Sequence, residues 1–312
     1  MGRYRLGDII RMTRKSLSIT QAQLSEGICS IETLSRVESG KQNPSKEVYE
    51  LLMERMGRIK DRAYSMLSVS DFKIFEKKQL FERCIQVFDY QRAEYILEEI
   101  KSKIGETKLD KQFIIRAEGL VNYRLERIST EEFLQELLEA IRITIPRYDN
   151  ISLSNWPLTY NETVLLLNIS TAYAEMGDYI NGIRILKEAN NALSCSYMDE
   201  EQRVLVKVGL LVNLSKWYGM EGEYKESSDC VIEGIEICKR YRIGGVLPNL
   251  LYNYAWNKEQ LIEKGVLSPD NKTECIIYYK KAYYIACAMQ SLYMAKFINN
   301  HMIEYYDINL EF

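Results

Sequence analysis

Apolar positions in the first part of the chain recur at helical spacing. Leu6, Ile9, Ile10, Thr13 and Leu17 share one helical face, and Leu24 with Ile28, Leu34 with Val37, and Val48 with Leu51, Leu52 and Met56 mark further faces. Ser18 and Thr20 are candidate caps for a helix starting at Gln21, and Ser30 for the next. Gly40 can end that helix, and Asn43-Pro44-Ser45 can start another. The spacing predicts four or five short helices joined by tight turns. Beyond about residue 62 the amphipathic pattern is helical nearly to the end, and five prolines in the whole chain leave few breaks. The segment 145–157 is the clearest connection, with Pro157 expected to open the following helix.

Two strings in this second region repeat. LLLNISTAYAEMGDY at 165–179 and LLVNLSKWYGMEGEY at 210–224 align on Asn168 and Asn213, 45 residues apart, and share N-x4-Y-x3-G-[DE]-Y. Tyr173 then matches Tyr218, Gly177 matches Gly222 and Tyr179 matches Tyr224. A second amphipathic helix follows each. Weaker copies around 88–100, 129–141 and 278–289, with LLYN at 250–253, bring the expectation to roughly five helical pairs. The fold class that follows is all-α.

Composition removes several functions. At 46% hydrophobic and 27% charged residues the chain is an ordinary globular protein, and it has no apolar run long enough to cross a membrane. The amino terminus intersperses charges where a secretory signal would be continuously apolar, so a cytoplasmic location is expected. Cys29, Cys84, Cys195, Cys230, Cys238, Cys275 and Cys287 are scattered without a CxxC pair, which argues against a disulfide scaffold or zinc finger. With His301 as the single histidine, and no Walker loop, GxGxxG, HExxH or GxSxG, no catalytic residue, metal or cofactor is expected and the chain is not read as an enzyme. The net charge of −3 conceals an uneven division: residues 1–62 carry 12 Lys or Arg against 8 Asp or Glu, leaving 29 against 36 for 63–312. A small basic head therefore precedes a large acidic body, and such a head suits a polyanion.

Within that head, TQAQLSEGICSIETLSRVESGKQNPS at 20–45 resembles the helix-turn-helix of the Xre and lambda-repressor type. The resemblance rests on Thr20 and Gln21, Leu24, the small Ser25, and LSRVESG at 34–40 followed by Asn43-Pro44. It implies that the second helix of the pair enters the major groove of double-stranded DNA, with Ser30, Ile31, Glu32 and Thr33 at its start near base edges. The Gln21 amide can reach a phosphate or an adenine edge, and the Thr20 hydroxyl can cap its helix or reach a phosphate. Arg36 and Lys41 can neutralise phosphate, and Asn43 completes the DNA-binding set. Glu32 either accepts from a cytosine amine or sits solvated at a helix start. Glu38 is expected to pair with Arg14.

The repeated strings resemble tetratricopeptide repeats, in a degenerate form because the family repeats every 34 residues or so. The expected architecture is thus an N-terminal helix-turn-helix domain, 1–62, followed by a tetratricopeptide-like α-solenoid, 63–312. In peptide-binding members of that repeat family, asparagines at the register of Asn168 and Asn213 hold ligand backbone, for which an amide offers both donor and acceptor. The resemblance extends this role to those two residues and, through LLYN, to Asn253, with Tyr173, Trp217 and Tyr252 as further peptide-binding candidates that also suit inter-helix packing.

A repressor-type head joined to such a body resembles the RRNPP family of peptide-pheromone receptors, of the Rgg and PlcR types, over nearly the whole chain. GICSIETLSRVESG at 27–40, the repeat asparagines and LPNLLYNYAWN at 247–257 carry it. It implies a homodimeric quorum-sensing regulator whose repeats bind a short signalling peptide that alters DNA binding. The alternative is a DNA-binding regulator whose repeats bind a protein partner or only dimerise.

Overall fold

The computed structural model describes residues 6–57, 69–105, 107–198 and 200–311. Those residues form fifteen α-helices, three short 3-10 turns and no strand. The expected boundary at residue 62 lies outside the described residues.

The head comprises α1 (Leu6–Ser16), α2 (Gln21–Ser25), α3 (Ile31–Glu38) and α4 (Lys46–Arg55). Each of the last three begins where a side-chain oxygen meets an otherwise orphaned backbone N–H: Thr20, Ser30 and Ser45 accept from Gln23, Thr33 and Val48. At Thr20 the Gln23 side chain reaches back to the cap backbone, completing a capping box. The apolar stripes converge on one core around Ile10, Leu24, Leu34, Val37, Leu52 and Met56.

Eleven helices follow: α5 (Val69–Gln86), α6 (Tyr90–Lys101), α7 (Lys108–Arg124), α8 (Thr130–Thr144), α9 (Tyr160–Glu175), α10 (Tyr179–Ala192), α11 (Glu200–Met220), α12 (Tyr224–Tyr241), α13 (Leu247–Glu263), α14 (Lys272–Ala288) and α15 (Leu292–Tyr306). In chain order they make five pairs and a terminal helix. Pro157 does not open α9, which starts three residues later. Thr159 and Glu162 do so instead, each backbone N–H meeting the other's side-chain oxygen at 2.9 and 3.2 Å.

The repeat is physical. Gly177 and Gly222 end α9 and α11 with φ of +84° and +83°, a left-handed conformation that glycine adopts at little cost. In both turns the next N–H, of Asp178 or Glu223, donates to the Tyr173 or Tyr218 carbonyl at 2.9 Å. Forty-five positions also separate Ser170 from Ser215 and Gly182 from Ser227. Ser170 donates to the Gly182 carbonyl at 3.0 Å, and the direction reverses in the second copy, where Ser227 donates to the Ser215 carbonyl at 2.5 Å. The third copy departs: α13 runs on past the matching point, and its turn glycine is Gly265.

The described residues group into two compact units, one of the head with the helices up to Ile169 and 188–203, the other of 83–89, 170–187 and 204 onward. In the first, Tyr197 packs on the head's core, and a Cβ on Gly57 would stand 2.0 Å from the Tyr197 carbonyl oxygen. In the second, the core gathers around Tyr279, Ile298 and Met302.

Candidate functional site

Helix α3 presents its start to solvent. Ile31 is 47% exposed, large for an aliphatic side chain. Ser30 accepts from the Thr33 N–H at 3.1 Å and its hydroxyl meets the Thr33 hydroxyl at 3.0 Å, so both hydroxyls already serve the cap. The Glu32 carboxyl is held below the usual carboxylate range by its own backbone N–H first and then by the Ser30 hydroxyl, with Arg36 adding attraction. Arg36, Lys41 and Asn43 are exposed, as is Thr20 at the cap of α2.

Beneath this surface lies the pair expected from the sequence. Arg14 Nε and Nη2 donate to the two Glu38 oxygens at 2.6 and 2.7 Å, and Nη1 donates to the Ile19 carbonyl at 2.7 Å. Burial opposes the Glu38 charge, but hydrogen bonds from Arg14 and Gln21 outweigh it and hold the carboxyl below its ordinary range. Gln21 has a second partner beside the DNA expected from the sequence: its Nε2 donates to Glu38 at 2.8 Å, tying α2 to α3. Above the pair is an open hollow whose wall includes Arg11 and Lys15 of α1 beside Thr20 and Ser35. Those two cations were not singled out from the sequence, although their i,i+4 spacing on a helix next to the capping box was a readable signal.

The repeat asparagines separate into different environments. Asn168, half-buried on α9, has its Oδ1 buried with no hydrogen-bond partner among the described residues. Asn213 occupies the same register on α11 and is half-buried. The Asn253 amide is taken: Nδ2 donates to Ser215 Oγ at 2.7 Å and lies 3.5 Å from the Val212 carbonyl, holding α13 to α11.

The aromatic candidates lie in packing positions. Trp217 is 3% exposed and stacks on Tyr179 with Lys216 over its ring, and its Nε1 is buried with no hydrogen-bond partner among the described residues. Tyr173 is half-buried at the end of α9. Tyr252 packs against Tyr279 and Phe297, with its hydroxyl 3.3 Å from His301 Nδ1. The lone histidine belongs to a buried network that the sequence did not reveal: His301 Nε2 lies 2.9 Å from Glu259 Oε2, which also accepts from the Tyr279 hydroxyl at 2.9 Å. Burial opposes the Glu259 charge, yet the bond from His301 and its neighbours holds the carboxyl below its usual range. Among the described residues no helix is long and apolar enough to cross a membrane.

Comparison with known proteins agrees with this geometry. A helix-turn-helix family model matches residues 10–60, and no curated protein sequence matches the chain. Among solved structures, Bacillus thuringiensis PlcR in complex with the peptide PapR7 and DNA superposes with a TM-score of 0.63 at 21% identity, covering 96% of this chain and 100% of that one. The chain has the PlcR fold. Apo PlcR gives 0.56 at 20% identity, covering 95% and 98%. ComR from S. thermophilus, in complex with DNA and its signalling peptide ComS, gives 0.54 at 14% identity, covering 96% and 99%.

Proposed function

We propose that this chain is a sequence-specific DNA-binding transcriptional regulator, not an enzyme, whose head at 1–62 binds duplex DNA and whose repeats at 63–312 bind a short signalling peptide and form a homodimer. Its place is the cytoplasm, where DNA is. The observation that carries the reading is that a helix-turn-helix head and, in α9 of the repeats, a buried Asn168 carbonyl without a partner occur in one chain. A buried acceptor left unpaired is costly, and a peptide N–H or a water offsets the cost by supplying the donor. The fold shared with PlcR, a protein solved with peptide and DNA, supports the same assignment.

On this reading Ile31, Glu32, Arg36, Lys41 and Asn43 meet DNA, Thr20, Ser30 and Thr33 present the helix ends, and Gln21 braces them. Asn168 and Asn213 hold peptide backbone. The test is calorimetry of the full chain with short synthetic peptides encoded near its gene, alongside operator selection from random duplexes. A selected operator with a micromolar or tighter peptide supports the reading. An operator with no peptide in the whole set would move the repeats to protein binding or dimerisation alone.

A further inference from the structure

The last turn of α4 is closed to solvent although it carries two charged residue types: Glu54 and Arg55 are 5% and 4% exposed. It ends the head against the start of α9, within one compact unit. Asn161 Nδ2 donates to Glu54 Oε1 at 2.7 Å, and the Thr159 hydroxyl also hydrogen-bonds to that carboxyl. Glu162, 1% exposed, faces the same small cavity of about 10 Å³, space for about one water. Two carboxyl groups thus share a nearly dry space, where ionising both is strongly disfavoured.

The nearby cations do not resolve the conflict. Arg55 lines the cavity too and its charge favours ionised Glu54, but the guanidinium donates to the Glu26 carbonyl and lies 5.4 Å from the Trp156 ring centroid, and its pull is outweighed by burial and the Glu162 charge. Lys108, first residue of α7, lines the cavity, whereas α8 contributes only Ile143 and Thr144. Glu162 accepts the Thr159 N–H at the opening of α9.

We propose that the helix-turn-helix head is seated on the repeats through a carboxylic acid, Glu54 standing neutral beside the second buried carboxyl of Glu162, so that the seat takes up one proton as it forms. Burial first, then the Glu162 charge, pushes Glu54 up to about 8. The sign follows from linkage. With the seat open, Glu54 ionises in the ordinary carboxylate range; with it closed, only near the raised value. The closed state therefore loses stability as pH rises between the two, by tenfold in its opening constant per pH unit, and the loss levels off above about 8.

The experiment is hydrogen exchange of the α4 amides in the full chain between about pH 5.5 and 9, corrected for intrinsic rates, in parent, Glu54→Gln and Glu162→Gln proteins. In the parent, opening should rise tenfold per unit and level near pH 8. Glu54→Gln should abolish that slope, and Glu162→Gln should move the plateau to lower pH. Infrared spectra of the parent at neutral pH should contain a protonated-carboxyl band that Glu54→Gln removes. A slope unchanged in Glu54→Gln, or a parent without slope and without the band, overturns the proposal; should Glu54→Gln fail to fold, the parent's slope and band and the Glu162→Gln shift decide it.

Discussion

Glu38 and Glu54 lie in the interior of the head and at its seat, 4% and 5% exposed, and what faces them drives them in opposite directions. Glu38 meets the fork of Arg14 and an amide from Gln21, and it is held charged. Glu54 meets a second carboxyl, two neutral donors and an arginine, Arg55, that makes no hydrogen bond to it, and its ionisation is postponed. Burial alone therefore does not decide a carboxyl's state. Desolvation is the largest cause at both and is heavier at Glu54, and the outcome turns on whether a matched cation and hydrogen-bond set offsets it, as Arg14 and Gln21 do at Glu38.

The sharpest way to break this contrast is Arg14→Ala, which leaves Glu38 buried without its cation. Denaturant unfolding of the head should show a loss of about 3–5 kcal/mol, and Glu38→Gln in the same background should restore part of it. If Arg14→Ala costs no more than Glu54→Gln, the two sites are not different in kind. Their pH arms should also diverge. The Glu38 contribution is present above the ordinary carboxylate range and is lost as pH falls through its lowered value, while that of Glu54 is lost as pH rises toward about 8, a divergence that denaturation at acid and mildly alkaline pH reads directly.

A second pair of like residues sharpens the same lesson in the repeats. Asn168→Ala should weaken the cognate peptide by roughly 1–3 kcal/mol in calorimetry with thermal stability little changed. Asn253→Ala should instead lower stability by about 1 kcal/mol, since it removes the bond to Ser215, and should leave peptide affinity nearly intact. Equal effects of the two on affinity would return Asn253 to the ligand.

At the surface the effects are smaller. Ser30→Ala should cost about 1 kcal/mol of head stability through the lost cap. Arg36→Ala should leave stability unchanged and reduce the log–log salt slope of operator binding by about 0.9, measured by fluorescence anisotropy across ionic strengths. An unchanged slope would remove Arg36 from the phosphate contacts.

Much of this was legible beforehand wherever the determinants are local. The caps at Thr20, Ser30 and Ser45, the turn glycines Gly177 and Gly222 and the 45-residue register are written in residue types a few positions apart, because a cap or a left-handed turn needs only its own neighbours. The Arg14–Glu38 pair was also readable, since the helix-turn-helix motif brings α1 and α3 together. The bond from Gln21 to Glu38 was not readable, because a glutamine amide suits a carboxylate as well as DNA and only the packing of α2 against α3 brings the two within reach.

Tertiary structure decided the rest. Asn168 and Asn253 are the same residue at the same register, yet Ser215, 38 positions before Asn253, satisfies one and nothing described satisfies the other's carbonyl. Asn161 reaches Glu54 across 107 positions, and His301 reaches Glu259 across 42. A side chain's type states which bonds it can make and which charge it can bear. Which of these it does make depends on which distant groups the packing brings within hydrogen-bond range, and how far the charge is desolvated there, neither of which any local stretch of sequence contains.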